Sequence, residues 1–133
     1  MNDDTTTIAE IRDALRRFAR ERDWEQFHNP KDLAVALSIE AAEVLEHFRF
    51  RSSEEVARLL RDEERRRALA DELADVASFA VRLADVARID LAEAIERKMQ
   101  SAAEKYPAEL VRGKPHKYTH YLRGSPERGE QPQ

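Results

Sequence analysis

Two pairs of carboxylates interrupt the two most apolar helix-like stretches of the chain. Glu40 and Glu43 fall within Leu33-Ala-Val-Ala-Leu-Ser-Ile-Glu40-Ala-Ala-Glu43-Val-Leu45. Glu72 and Asp75 fall within Ala68-Leu-Ala-Asp-Glu72-Leu-Ala-Asp75-Val-Ala-Ser-Phe79-Ala-Val81. An acid three residues after another projects from the same helix face. No Lys or Arg stands three or four residues from any of the four. Acids gathered beside a helical core without a counter-charge are costly unless a cation joins them. The pattern therefore points to a divalent-metal site. Its donors are all oxygen, which suits a hard ion: Mg²⁺ first, Mn²⁺ as the alternative.

The spacing by itself is common. It recurs at Glu10–Asp13, Glu43–Glu46, Asp90–Glu93, Glu93–Glu96 and Glu127–Glu130, where a solvated helix surface is the ordinary explanation. The apolar, base-free surroundings set the two central pairs apart. A di-iron bundle would need Glu-x-x-His on each of two helices. Here only Glu25–His28 has that spacing, and it falls between helices.

The elements that must position these acids are helical. The 133 residues hold 3 Gly and 5 Pro, are 38% charged and carry a net charge of −4. That composition predicts a mostly helical domain; the pattern along the chain makes it an all-α, four-helix-type bundle over residues 1–121, with 122–133 a disordered tail. The acidic excess argues against a nucleic-acid polymer as partner. There are 0 Cys, so no disulfide and no thiolate metal site. The polar, acidic N-terminus is unlike a signal peptide, and no apolar run approaches the ~20 residues of a membrane span. A cytoplasmic protein with no membrane partner is expected.

Thr7-Ile-Ala-Glu10 reads as a capping box, opening a first helix that runs to about Arg20 or Arg22. Asn29-Pro30 opens a second helix to about Phe48. Its predicted core stripe is Leu33, Leu37, Ala41, Val44, Leu45 and Phe48, with Glu40, Glu43 and His47 beside it. Ser52-x-x-Glu55 caps a short helix to about Leu60. A long helix from Asp62 to about Ala87 follows, its core stripe Leu69, Leu73, Val76, Ala80, Leu83 and Ala87. Asp90 opens a last helix, with Leu91, Ala94, Ile95, Met99 and Ala102 inward, stopping before Pro107. Residues 114–121 read as an extended tail. Trp24, Phe27 and His28 crowd the first inter-helix segment, which suits either a pocket wall or a packed loop. These broad apolar stripes exceed what one small chain covers, so a homo-oligomer is expected.

The ordered set of motifs resembles the MazG-like all-α nucleoside triphosphate pyrophosphatases, and within them the dCTP pyrophosphatases. It comprises Glu21-Arg-Asp-Trp-Glu-Gln-Phe-His28-x-Pro30-x-x-Leu33, Glu40-x-x-Glu43, Glu72-x-x-Asp75, Ile89-Asp-Leu, Lys98-Met99, Lys105-Tyr-Pro107 and Lys117-Tyr-Thr119. The resemblance implies that Glu40, Glu43, Glu72 and Asp75 bind Mg²⁺ and serve catalysis. It places Trp24, Phe50 and Phe79 around the base, His28 in the same substrate string, and Lys98 at the phosphate chain. It implies release of pyrophosphate from a nucleoside triphosphate, dCTP or a modified dCTP, in nucleotide-pool sanitation, by a tetramer built as a dimer of dimers. The chain departs from the pattern at four places. Leu15 stands where vertebrate dCTP pyrophosphatases carry a His near the base, Phe50 where they carry Trp, and Ala102 where an Asn is expected near the phosphates. Ile39 precedes Glu40 where relatives often have Gly. A lost polar contact bears on base selection. A non-catalytic nucleotide sensor and a helical interaction module are the alternative functions at this level.

Overall fold

The computed structural model describes residues 1–117 and Thr119. The described residues form α1 (Ile8–Glu21), α2 (Pro30–Glu46), α3 (Ser53–Leu59), α4 (Glu63–Val86), α5 (Leu91–Lys105) and α6 (Ala108–Val111), with a 3-10 turn at Glu25–Phe27. No strand occurs among them. The chain is all-α. The tail expected from 122 onward, and most of the segment 118–121, lie outside the described residues.

The helix starts follow from local chemistry. At α1 the Thr7 hydroxyl accepts from the Glu10 amide at 3.2 Å, and the Glu10 carboxylate accepts from the Thr7 amide at 2.7 Å. Ser52 and Glu55 repeat this reciprocal cap at α3, at 3.3 and 2.7 Å. Asn29 accepts from the Asp32 amide at 2.9 Å with Pro30 in the first helical position. Asp62 accepts from the Arg65 amide at 2.9 Å. Such caps contribute about 1 kcal/mol each.

Two compact units result, Met1–Ala92 and the part from Glu93 onward. In the first, α2 and α1 both pack on α4. His28, just before α2, meets Arg82 late in α4. Glu43, late in α2, meets Glu72 early in α4. The two helices therefore run antiparallel. The buried apolar residues of this unit are Ala19, Leu33, Leu59, Leu69, Val81 and Ala84, with Leu33 2% exposed. The second unit holds most of α5, followed by one helical turn, α6, that starts immediately after Pro107.

The predicted core stripes are only partly covered. Leu33 and Leu69 are buried, but Leu45 is 59% exposed and Leu73 51%. Ile95 and Met99 of α5 are exposed as well. Period 3.6 identifies an apolar stripe, not the partner that covers it.

Candidate active site

The acids on α2 and α4 converge. Carboxylate oxygens of Glu40, Glu43 and Glu72 all lie within 4.8 Å of one another. Glu40 and Glu72 are half-buried and Glu43 is exposed. Burial pushes the Glu40 carboxyl above its ordinary range, and the charges of Glu43, Asp75 and Glu72 push it further. Burial likewise raises Glu72, helped by the charge of Glu43 and a hydrogen bond shared with it, while His47 acts in the opposite sense. Asp75 stands one turn beyond Glu72. It is not one of the three converging groups, yet its charge is felt by both Glu40 and Glu72. None of the four acids makes an ion pair among the described residues. Mutually repelling oxygen donors, with Glu40 and Glu72 raised, are what a hard divalent cation relieves, so the donor set fits one.

The aromatic residues are positioned separately. α1 ends in a Schellman motif: Trp24 N–H donates to the Ala19 carbonyl at 2.9 Å and Asp23 N–H to that of Arg20 at 3.0 Å. Asp23 takes the left-handed conformation there, φ +53°. The same motif packs the Trp24 ring edge-on against Phe18, centroids 5.9 Å apart. Phe79, half-buried, lies one turn beyond Asp75 on α4. Phe50 sits in the turn after α2 at φ +60° and is 92% exposed, its ring 4.8 Å from the Arg49 guanidinium. Among the described residues Trp24, Phe50 and Phe79 make no ring contact with one another. Lys98 is exposed on α5 in the second unit.

A polar network that the motif reading passed over ties the Trp24–His28 segment to the helices. Arg82 donates to Asp85 at 2.6 Å. Arg16 of α1 grips both oxygens of the same carboxylate. The second Arg82 amino group lies 3.4 Å from His28 Nδ1. Hydrogen bonding from Arg16 holds the Asp85 carboxyl below its ordinary range, against the effect of burial, and raises Arg16 in return. Burial, then the Arg82 charge, lowers His28, with Glu25 opposing. The sequence signal was Arg82 and Asp85 three apart within Val81-Arg-Leu-Ala-Asp85, charges inside an apolar stretch.

Acids brought together from two antiparallel helices of an all-α fold form an arrangement that could hold a hard cation. Comparison with known proteins narrows the class. The MazG-like family model matches residues 35–120, and the chain belongs to that family. It is 40% identical over 119 residues to dCTP pyrophosphatase 1 of Mus musculus and, equally, of Homo sapiens, spanning 90% of this chain and 70% of each relative. Among solved structures it is similar to a pyrophosphatase from Archaeoglobus fulgidus DSM 4304, with TM-score 0.71 and 42% identity over 80% of this chain and 98% of that one. No helix among the described residues is long and apolar enough to cross a membrane.

Proposed function

We propose that the chain hydrolyses a (deoxy)nucleoside triphosphate, dCTP or a modified dCTP, to the monophosphate and pyrophosphate, and so clears unwanted nucleotides from the cytoplasmic pool. The observation that carries this is the meeting of Glu40, Glu43 and Glu72 with no ion pair among the described residues, in a chain 40% identical to dCTP pyrophosphatases. With Asp75 these residues would hold Mg²⁺, or Mn²⁺ in its place. The bound ion supplies charge neutralisation and polarisation at the phosphate oxygens.

The chain's own groups do the rest. One glutamate of the cluster orients a water and takes its proton as the water oxygen attacks the α-phosphorus. The bond from that phosphorus to the bridging oxygen breaks, and pyrophosphate leaves with the electron pair. Trp24, Phe50 and Phe79 stack on or enclose the base, with His28 in the same substrate-binding segment as Trp24. Lys98 keeps the phosphate role that family resemblance gives it. The protein works as a homotetramer, a dimer of dimers. Support for assembly comes from the outward face of α2, where Val35 and Ile39 are each 52% exposed.

Pyrophosphate release from a panel of canonical and modified nucleoside triphosphates, with Mg²⁺ and with EDTA, tests the reading. Metal-dependent release with monophosphate as co-product is expected, with cytosine nucleotides ranked first. Nucleotide binding without release would select a sensor. Neither binding nor release would select an interaction module.

A further inference from the structure

We propose that Arg82 is a positioning residue for the substrate wall: it fixes His28 as the Nε2–H tautomer and holds the Trp24–His28 segment against α4. The inference rests on the reading that this segment faces the nucleotide.

A guanidinium has donors and no acceptor. With Arg82 Nη2 3.4 Å from His28 Nδ1, Nδ1 must accept, and the ring proton resides on Nε2. His28 then offers one donor, at Nε2. A base met by that nitrogen is met through a carbonyl oxygen or a bare ring nitrogen, not through an amino group.

Stability gives Arg82 little reason to be there. Arg82 is 6% exposed, and its Nε is buried without a partner. Its carboxylate, Asp85, is already gripped by Arg16. An apolar side chain would fill the site at lower cost in desolvation. What the second guanidinium adds is the contact to His28.

The same groups keep His28 neutral. Those acting on it are Arg82 from α4 and Glu25 from the 3-10 turn, with burial; behind Arg82 lie Asp85 of α4 and Arg16 of α1. Arg16 is shared between Asp85 and Asp13, and of the two charges acting on the ring Arg82 outweighs Glu25. Position agrees with function. Arg82 lies seven residues beyond Asp75, which at 100° per residue returns to the same helix face about 10 Å further along. Phe79 falls between them. The α4 face thus presents acids, aromatic ring and latch in order.

The test uses Arg82→Met, Arg82→Lys and His28→Phe in the full chain. The readouts are KM and kcat for pyrophosphate release across pH, and the emission of Trp24, which is the chain's 1 Trp. Arg82→Met leaves Asp85 paired with Arg16. It should raise KM about 10-fold while changing kcat far less, since a displaced contact segment weakens binding geometry. Trp24 emission should shift. The rise in KM at low pH should move upward, toward the ordinary His value of 6.5, once the Arg82 charge is gone. Arg82→Lys, which keeps a donor, should recover part of the loss. His28→Phe breaks the latch without touching α4 and should reproduce the KM effect even if Arg82→Met does not fold. Unchanged KM and emission in the folded variants of an active enzyme would overturn this inference alone. A wild-type protein with no metal-dependent release would overturn the reading beneath it.

Discussion

Replacing Asp85 with Asn removes one charge and almost no volume, and it isolates the electrostatics of the α1–α4 contact. The Asp85 side chain is 6% exposed and faces two guanidinium groups, those of Arg16 and Arg82. Without the carboxylate, the Arg82 head, 7% exposed, is left uncompensated in the interior. Breaking a buried pair in this way costs about 3–5 kcal/mol. With an unfolding entropy of about 2.1 cal/mol/K per residue, 1 kcal/mol moves Tm by about 3.6 °C in a chain of this length, so the expected loss is about 10–18 °C. The assay is thermal unfolding followed by circular dichroism at fixed protomer concentration. The pH dependence has a definite sign. The Asp85 carboxyl is held below its ordinary 3.8, so its contribution is fully present above that value and is lost as pH falls through the lowered one. The gap between wild type and variant should be flat from pH 6 to 8 and close only in strong acid. Arg82→Met, which leaves Asp85 with Arg16, should stay within about 1 kcal/mol of wild type. An Asp85→Asn variant within 4 °C of wild type would refute the reasoning, because it would mean that water already screens the pair.

Three further outcomes follow from the same structure. Glu40 and Glu72 have raised pKa values, so the metal-free protein should gain stability from these two groups as pH falls through their folded values; the Tm gain caused by millimolar Mg²⁺ should therefore shrink from pH 8 to pH 5, as scanning fluorimetry would record. Leu33→Ala should cost about 2–5 kcal/mol, read as a lowered urea midpoint, because Leu33 is 2% exposed and its removal leaves a cavity. Ile39→Glu, which places a charge on the exposed apolar face of α2, should reduce the oligomer to a smaller species by light scattering with helicity kept; an unchanged mass would remove that face from the interface.

Much of this organisation is legible in the amino-acid sequence. The caps at Thr7–Glu10, Asn29–Pro30 and Ser52–Glu55 are local chemistry, and local chemistry survives folding. The paired acids were visible because three-residue spacing and missing Lys or Arg are properties of the string itself. That they meet across two helices needed the antiparallel packing of α2 and α4. Three features were not legible. Asp23, Phe50 and Arg88 adopt positive φ where glycine would be the ordinary signal, so the turns they make carry no compositional mark. Leu45 and Leu73 look like core because periodicity reports apolarity and not coverage. The Arg82–His28 contact joins residues 54 positions apart, and no spacing rule reaches that far. Family resemblance named His28 without a role; the neighbouring guanidinium supplies one.

If the carboxylates on α2 and α4 hold the ion on which hydrolysis depends, turnover must follow the metal and must need Glu43. Steady-state turnover of dCTP by wild type and by Glu43→Gln, titrated with Mg²⁺ from EDTA to millimolar, tests it most directly. Wild-type release should saturate with metal and vanish in EDTA, and the folded variant should lose turnover at every concentration. Wild-type rates in EDTA, or a Glu43→Gln enzyme with an unaltered metal response, would contradict it.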